Sequence, residues 1–470
     1  MLAPDGDATK APARRAPRVP ARLDSRRVWS LQFNMRFSPV PRPFSSRRLA
    51  ALALLPALAA CAAASLPMPV PAPATPPAAF PIAPRSPDRV PAYRTLMAAI
   101  PAAVGVDPTL PARLDSIIRL GLAEGAAPGA AIAVGRYGRL IHLQGYGTLE
   151  YGASAAPATP TTLYDLASLT KVVATTTAAM LLEESGRLDL GRTVASYLPE
   201  FSAPDKAAIT VRMLLTHSGG FEAYAPLYQT LRGRTAYLAA IASRPLAYPP
   251  GSRTIYSDWD MVVLQAVLER ITALPLDQFV DGHVFRPLGM ADTRFTPDTA
   301  DTGLRRRIAP TAYDSMRGLL RGTVHDGNAW ALGGVSGHAG LFSTARDLAI
   351  FAQFLLDGGT YGDVRVLTPQ TIARWTARQG AVGSRALGWD TPAPQSSAGH
   401  FFSPRSFGHT GFTGTSIWID PERSLFVVLL MNRVNTRGEA TRHVQLRRDV
   451  ADAVEAAIID APLIDWESLR

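Results

Sequence analysis

Apolar and polar positions change rhythm along this chain, and the changes mark its elements. Residues 49–60 form a short uninterrupted apolar run, and residues 62–90 are mostly Ala and Pro with almost no periodic apolar pattern. The first is too short to span a bilayer as a helix. The second reads as a flexible, partly extended tether, with folded sequence beginning near Ala92. Residues 108–123 read as a helix, and 130–134 and 140–146 as strands around the turn Gly135-Arg136-Tyr137-Gly138. Residues 169–184 have strong helical character and few breakers, and Gly186 is a natural stop. From there to about Leu341 helices and long loops prevail. Helices are expected at 210–216, 233–243, 257–272, 276–284 and 344–357. Residues 415–419 and 425–431 are β-rich and flank Asp420-Pro421-Glu422-Arg423, a hairpin signal. A last helix is expected over 444–458.

Strands at both ends around a helical middle predict an α/β (α+β) architecture. An antiparallel sheet flanked by helices would be built from both ends of the domain, with a mostly helical subdomain inserted at about 169–341. The expected organisation is a leader at 1–61, the tether at 62–91 and a folded domain at 92–470. A groove between the two parts is the natural place for a site.

Composition changes this picture only at the start of the chain. An apolar fraction of 47% and a charged fraction of 18% suit a globular protein. The formal charge of +10 invites a nucleic-acid reading, but residues 1–60 hold 11 Lys/Arg against 3 Asp/Glu and so supply +8 of it. The basic character is a leader property, and no nucleic-acid partner is expected. Arg47-Arg48, the apolar run and the small residues before Cys61 follow the signal-peptide pattern. Met35 would give that signal an ordinary length. Cys61 is the single cysteine, so no internal disulfide can form. Leu58-Ala59-Ala60-Cys61 resembles a bacterial lipobox, which implies acylation of Cys61 and a membrane-anchored, exported protein. Ala62 after the cysteine would favour the outer membrane.

The chemistry gathers in three segments. Ser168-Leu169-Thr170-Lys171 opens the 169–184 helix, and residues three apart share a helix face. An alcohol needs a base to become a nucleophile. An amine serves only with a depressed pKa or a partner that relays the proton. Tyr256, in Tyr256-Ser257-Asp258, is the candidate partner. His409-Thr410-Gly411 lies just before the expected hairpin and can sit on an edge strand facing the helix.

In order and spacing these segments resemble the serine β-lactamase and penicillin-binding protein superfamily, in its class C β-lactamase-like peptidase and esterase branch. Thr216-His217-Ser218-Gly219-Gly220 is similar to a further segment of that family, and the resemblance covers roughly 100–460. It implies that Ser168 attacks a carbonyl and becomes acylated. Lys171 would assist Tyr256 in taking the serine proton, and Tyr256 would pass it to the leaving group and then activate water. His409 would stand where relatives carry a lysine, beside the substrate carboxylate. Backbone N–H groups of Ser168 and Phe412 would form the oxyanion hole. Asp258, Thr410 and Gly411 would bind substrate or support the site.

Asp258 replaces the family's usual asparagine and His409 its usual lysine. The first adds charge and removes an amide donor, and the second weakens attraction for a carboxylate. Both argue against an efficient β-lactamase and leave an esterase, a D-Ala-D-Ala carboxypeptidase or a weak class C-type β-lactamase. The substrate would be a small ester or peptide, with peptidoglycan a candidate. A catalytically inactive cell-wall binding protein is the alternative of another class. The glycine-dense stretch 322–344 suggests close turns at a groove rim, where Asp326, Asn328 and His338 could contact substrate or hold the loop. None of the eight histidines lies in a His-Glu-x-x-His pattern, so no metal or other cofactor is expected. Gly-x-Ser-x-Gly around Ser168 and a Walker loop are absent too.

Overall fold

The structure is a computed structural model that describes residues 95–380, 383–393, 396–435 and 441–463. The leader, Cys61 and the Ala/Pro tether lie outside the described residues.

The central strand explains the sheet. β2 (Gly129–Arg136) reads Gly-Ala-Ala-Ile-Ala-Val-Gly-Arg, and all eight residues are buried. A small-residue strand of this kind is covered on each of its faces. It pairs with β3 (Arg139–Gly147) on one side and with β13 (Leu425–Met431) on the other, antiparallel in each case. The sheet order is β1-β3-β2-β13-β12-β11, with β1 at Met97–Ala98, β11 at Phe407–Thr410 and β12 at Ser416–Asp420. Successive side chains of a strand alternate in direction, and the core follows that alternation. Ala131, Ala133, Phe426, Val428 and Leu430 join one cluster with Leu348 and Phe351. Ala130, Ile132, Val134, Val427 and Leu429 join another with Leu114, Ile118 and Val450. The second cluster packs the sheet against the helices Leu110–Ala123 and Arg442–Glu455, which come from opposite ends of the unit.

Two turns close the hairpins as expected. Tyr137 and Gly138 take φ of 50° and 73°, consecutive left-handed residues that match the twist of a two-residue hairpin. At the β12–β13 turn the buried Asp420 carboxylate accepts N–H bonds from Glu422, Arg423 and Ser403, and an O–H bond from Ser403.

Between β3 and β11 the chain builds the helical part. Its helices include Val211–Leu215, Arg234–Ser243, Asp258–Thr272, Leu276–Val280 and Ala345–Leu356. The expected helix at 276–284 becomes a short α-helix followed by a π-helical stretch, Asp281–Phe285. The expected helix at 169–184 likewise contains a π-helical segment, Lys171–Thr176, before its regular part, Thr177–Glu184. Short strands that the sequence did not announce also occur here. β4 (Tyr164–Asp165), β5 (Arg294–Phe295) and β8 (Leu341–Ser343) form a small sheet in the order β4-β8-β5. β6 (Ala312–Asp314) and β7 (Gly318–Leu320) form a hairpin, and β9 (Thr360–Tyr361) pairs with β10 (Val364–Arg365). The final helix ends at Glu455 rather than 458, because Ala457 and Ile458 turn to meet Asp107 and Val106.

Candidate active site

Ser168 stands at a strained turn between β4 and its helix. Ala167, just before it, has φ of 46°, an unfavourable conformation for a residue with a Cβ. The turn is held from several sides. Asp165 Oδ1 accepts the Ala167 N–H at 2.9 Å, and Leu166 N–H donates to Leu341 O at 2.9 Å. Thr413 and Thr415 donate their hydroxyls to Asp165 O and Leu166 O at 2.7 and 2.9 Å. The loop 411–415 is thereby clamped to the segment carrying the serine. The N–H groups of Ser168 and Phe412 donate to no acceptor among the described residues.

Gly411 is required by this closeness. A Cβ there would sit 2.1 Å from Thr415 Oγ1 and 2.4 Å from Leu166 O. Arg447, buried, donates to the carbonyls of Gly411, Thr415 and Gly414 at 2.7, 2.8 and 3.2 Å. Burial pulls its pKa down to about 9, and Arg433 adds to the fall. No local pattern marks Arg447 in the sequence, because its role comes from the helix–loop contact.

Lys171 is fully buried and its three donors are all engaged. Nζ donates to Ser168 Oγ at 2.9 Å, to Asp258 Oδ1 at 2.8 Å and to His338 O at 3.1 Å. It also lies 4.8 Å from the Tyr256 ring centroid. Burial pulls the pKa of the amine down, but the negative field of Asp258, with Tyr256 adding to it, outweighs burial and leaves it raised. Lys171 is therefore a fixed cation at neutral pH and not itself a free base.

Tyr256 precedes the helix Asp258–Thr272, which Ser257 caps by accepting the Trp259 N–H. Its ring lies 5.9 Å from the His409 ring and 4.6 Å from the His217 ring. His409, on edge strand β11, bonds through Nδ1 to Thr410 O at 2.9 Å, and its Nε2 is buried with no hydrogen-bond partner among the described residues. Burial, then the cations Arg385 and Lys171, hold its pKa well below the usual histidine range, so it is neutral. The sequence reading missed Arg385. Its guanidinium carbon lies 5.2 Å from the Tyr256 ring centroid, and no carboxylate partner is found among the described residues.

The residues of the glycine-rich stretch divide. Asn328 is fully buried and structural: it accepts from Tyr228 N–H and Tyr237 Oη and donates to Ala225 O. Asp326 caps a short helix by accepting the Ala329 N–H and bonds His338 Nε2 at 2.8 Å. Burial raises its pKa, but the charge and hydrogen bond of His338 win and leave it lowered. His338 bonds Ser336 Oγ through Nδ1, and its carbonyl receives Lys171. His325 stacks on the exposed Phe412 ring at 5.7 Å, with Arg433 over the same ring at 4.0 Å.

Asp258, Asp326 and His338 each place one ligand atom within 4.8 Å of the others. A metal there would face the Lys171 ammonium, which already neutralises Asp258. Two surface cavities, of about 380 and 300 Å³, lie beside Arg306 and Arg321, and none of the residues above lines them. The convergence of reactive groups, rather than the size of a hollow, locates the site.

Comparison with known proteins bears on this geometry. The family model described as Beta-lactamase matches residues 114–452. A relative from Salmonella agona (strain SL483), named "Putative D-alanyl-D-alanine carboxypeptidase", is 35% identical over 376 residues, 73% of this chain and 87% of the relative. EstCE1, described as a hydrolase with promiscuous acyltransferase activity, has a solved structure of similar fold. It is 25% identical, with a TM-score of 0.59 over 73% of this chain and 98% of that one. A penicillin-binding protein homologue from Caulobacter crescentus is 23% identical, with a TM-score of 0.59 over 74% and 99%.

Proposed function

We propose, for a chain that belongs to the Beta-lactamase family, an acyl-transfer reaction carried by Ser168. The chain is a serine hydrolase by fold and family, related to β-lactamases, esterases and carboxypeptidases. The observation that carries the proposal is the hydrogen bond from the buried Lys171 ammonium to Ser168 Oγ, beside the Tyr256 ring.

Ser168 Oγ attacks the substrate carbonyl as Tyr256, acting as the phenolate beside the Lys171 ammonium, takes its proton. The carbonyl oxygen, now negative, is received by the N–H groups of Ser168 and Phe412. Tyr256 gives the proton to the leaving nitrogen or oxygen as that bond breaks. Water then attacks the acyl-serine and loses its proton to the regenerated Tyr256 phenolate, which passes that proton to Ser168 Oγ as the acid departs. Lys171 remains charged throughout and stabilises the negative charge passing between the two hydroxyls.

Two features bear on the substrate. Asp258, bonded to Lys171, offers a carboxylate where a side-chain amide would need a donor, which disfavours penicillins. Arg385 supplies beside Tyr256 the cation that neutral His409 lacks, which suits a peptide ending in a free carboxylate. The purified protein is therefore expected to hydrolyse a short-chain nitrophenyl ester fastest, a D-Ala-D-Ala peptide more slowly and nitrocefin hardly at all. Arg385→Ala should depress kcat/KM for the peptide by about 10-fold or more, the worth of a charge-assisted contact, and spare the ester. Nitrocefin turnover above the ester would refute this assignment. Absence of turnover and of labelling by fluorescent penicillin or fluorophosphonate would favour a non-catalytic binding protein.

We also propose export and anchoring of the protein through an acylated Cys61, on the outer membrane. Support comes from the lipobox-like sequence before it. Among the described residues no helix is long and apolar enough to cross a membrane. Cys61→Ser is expected to move the protein from the membrane fraction to the soluble periplasm. An unchanged distribution in cell fractionation would argue against the lipid.

A further inference from the structure

The segment Thr216-His217-Ser218-Gly219-Gly220 takes no part in the reaction just described, yet it lies directly behind it. His217 is fully buried, and its ring centroid is 4.6 Å from that of Tyr256. It meets the chain on each side of the tyrosine. Its carbonyl accepts the Ile255 N–H at 2.9 Å, and its Nδ1 accepts the Ser257 N–H at 3.3 Å. Tyr248 Oη donates to the same carbonyl at 3.2 Å. The residues before and after Tyr256 are thus fastened to one side chain and its own backbone. His217 reaches this position with φ of 53°, a conformation that few residues with a Cβ adopt.

An amide N–H can only donate, so Nδ1 carries the lone pair and Nε2 the proton. Asp260 Oδ2 lies 3.3 Å from that same Nδ1. A carboxylate would repel the lone pair, whereas a protonated acid can share it. Burial pushes the Asp260 acid well above the usual carboxylate range, and the Asp258 charge adds to the rise. Burial, with Arg385, Lys171 and His409 adding to it, keeps His217 well below the usual histidine range. The pair is thus neutral. Gly219 makes room for it, since a Cβ there would lie 2.4 Å from Asp260 Oδ1.

We propose that His217 is a positioning residue for Tyr256: by accepting the amide at 255 on its carbonyl and that at 257 on its ring it fixes the phenol against Ser168 and Lys171. This rests on the assignment of Tyr256 as the proton carrier. Asparagine can place Oδ1 close to where histidine has Nδ1, and it tolerates positive φ. Glycine tolerates that φ and keeps the carbonyl that holds Ile255, but offers no side-chain acceptor for the Ser257 N–H. Using the full chain and a nitrophenyl ester, His217→Gly is expected to lower kcat by about 10-fold or more, equivalent to one misplaced group, with KM within about twofold. His217→Asn should recover kcat to within about threefold of the parent.

A double-mutant cycle with Tyr256→Phe separates this from general damage. Once the phenol is gone, His217→Gly should have no further effect on kcat. Equal impairment of the Asn and Gly variants at unchanged Tm, or additive losses in the cycle, would overturn the proposal. A nearly fully active Tyr256→Phe would instead overturn the assignment of Tyr256, and the positioning role with it. If the Gly variant does not fold, His217→Gln serves in its place, because its oxygen lies one bond farther out and should fail to restore kcat.

Discussion

Ser168→Ala is expected to abolish hydrolysis of every substrate and covalent labelling by fluorophosphonate, while the protein remains folded. Removal of a nucleophile that works as a unit with its base lowers kcat by about 10⁴–10⁶-fold in serine hydrolases. Little structure should be lost. Among the described residues the Ser168 hydroxyl has one hydrogen-bond partner, Lys171 Nζ, and that ammonium keeps Asp258 Oδ1 and His338 O. Alanine is favourable at a helix start that relies on no side-chain cap from this residue. Tm should therefore stay within a few degrees of the parent. Labelling that persists in the variant would place the acyl group elsewhere and refute the nucleophile assignment.

Lys171→Met is expected to lower kcat by about 10²–10⁴-fold, the range for loss of a group that assists proton transfer or stabilises transition-state charge. Methionine approximates the length of the side chain and removes the charge. The Asp258 carboxylate then faces the cleft without its cation, next to the oxygens on which charge develops. Lys171→Arg, which keeps the charge but not the compact ammonium, should remain strongly impaired, because three acceptors surround a point donor. The sign of the pH effect follows from the raised pKa of this amine. Stability from its ion pair is fully present below the unfolded lysine value and is lost only as pH rises through the still higher folded value. An alkaline fall in activity near neutral pH would belong to another group. Methionine-variant activity close to the parent, measured by initial rates at saturating ester, would remove Lys171 from the mechanism.

Much of the fold was legible because its long elements carry strong local signals. The run of small and branched residues in β2 and β13 can be buried only in a sheet covered on its two faces. The helices at 211–215, 234–243, 258–272 and 345–356 fell within the expected spans because caps and glycines bracket them. β4, β5 and β8 were not legible, since two or three residues hold no period and exist only through pairing with distant chain. The π-helical segment at Lys171–Thr176 was hidden for a similar reason: its sequence suits a regular helix equally well.

The candidate site divides along the same line. Ser168, Lys171, Tyr256 and His409 could be named because their order and spacing match a family pattern. Arg385, Arg447 and Asp165 could not. Each is an ordinary charged residue whose importance comes from what lies across the fold: a tyrosine ring, three loop carbonyls, and the N–H groups of Ala167 and His325. For Asn328 the sequence left substrate contact and loop support both open, and its hydrogen bonds to Tyr228, Tyr237 and Ala225 favour support.

The pairing of β2 with β13 sets a timetable for the newborn polypeptide. Ala130 meets Met431, and Arg136 meets Leu425, so the middle of the sheet waits until residues 425–431 have been synthesised. Until they emerge, the helix Ala345–Leu356, which packs on β2 and β13, has no finished floor beneath it. Such distant pairing makes folding slow, and slowness would suit the export proposed above, in which the polypeptide is threaded across a membrane before it collapses. A nascent chain cut short before β13 should yield no partly working enzyme.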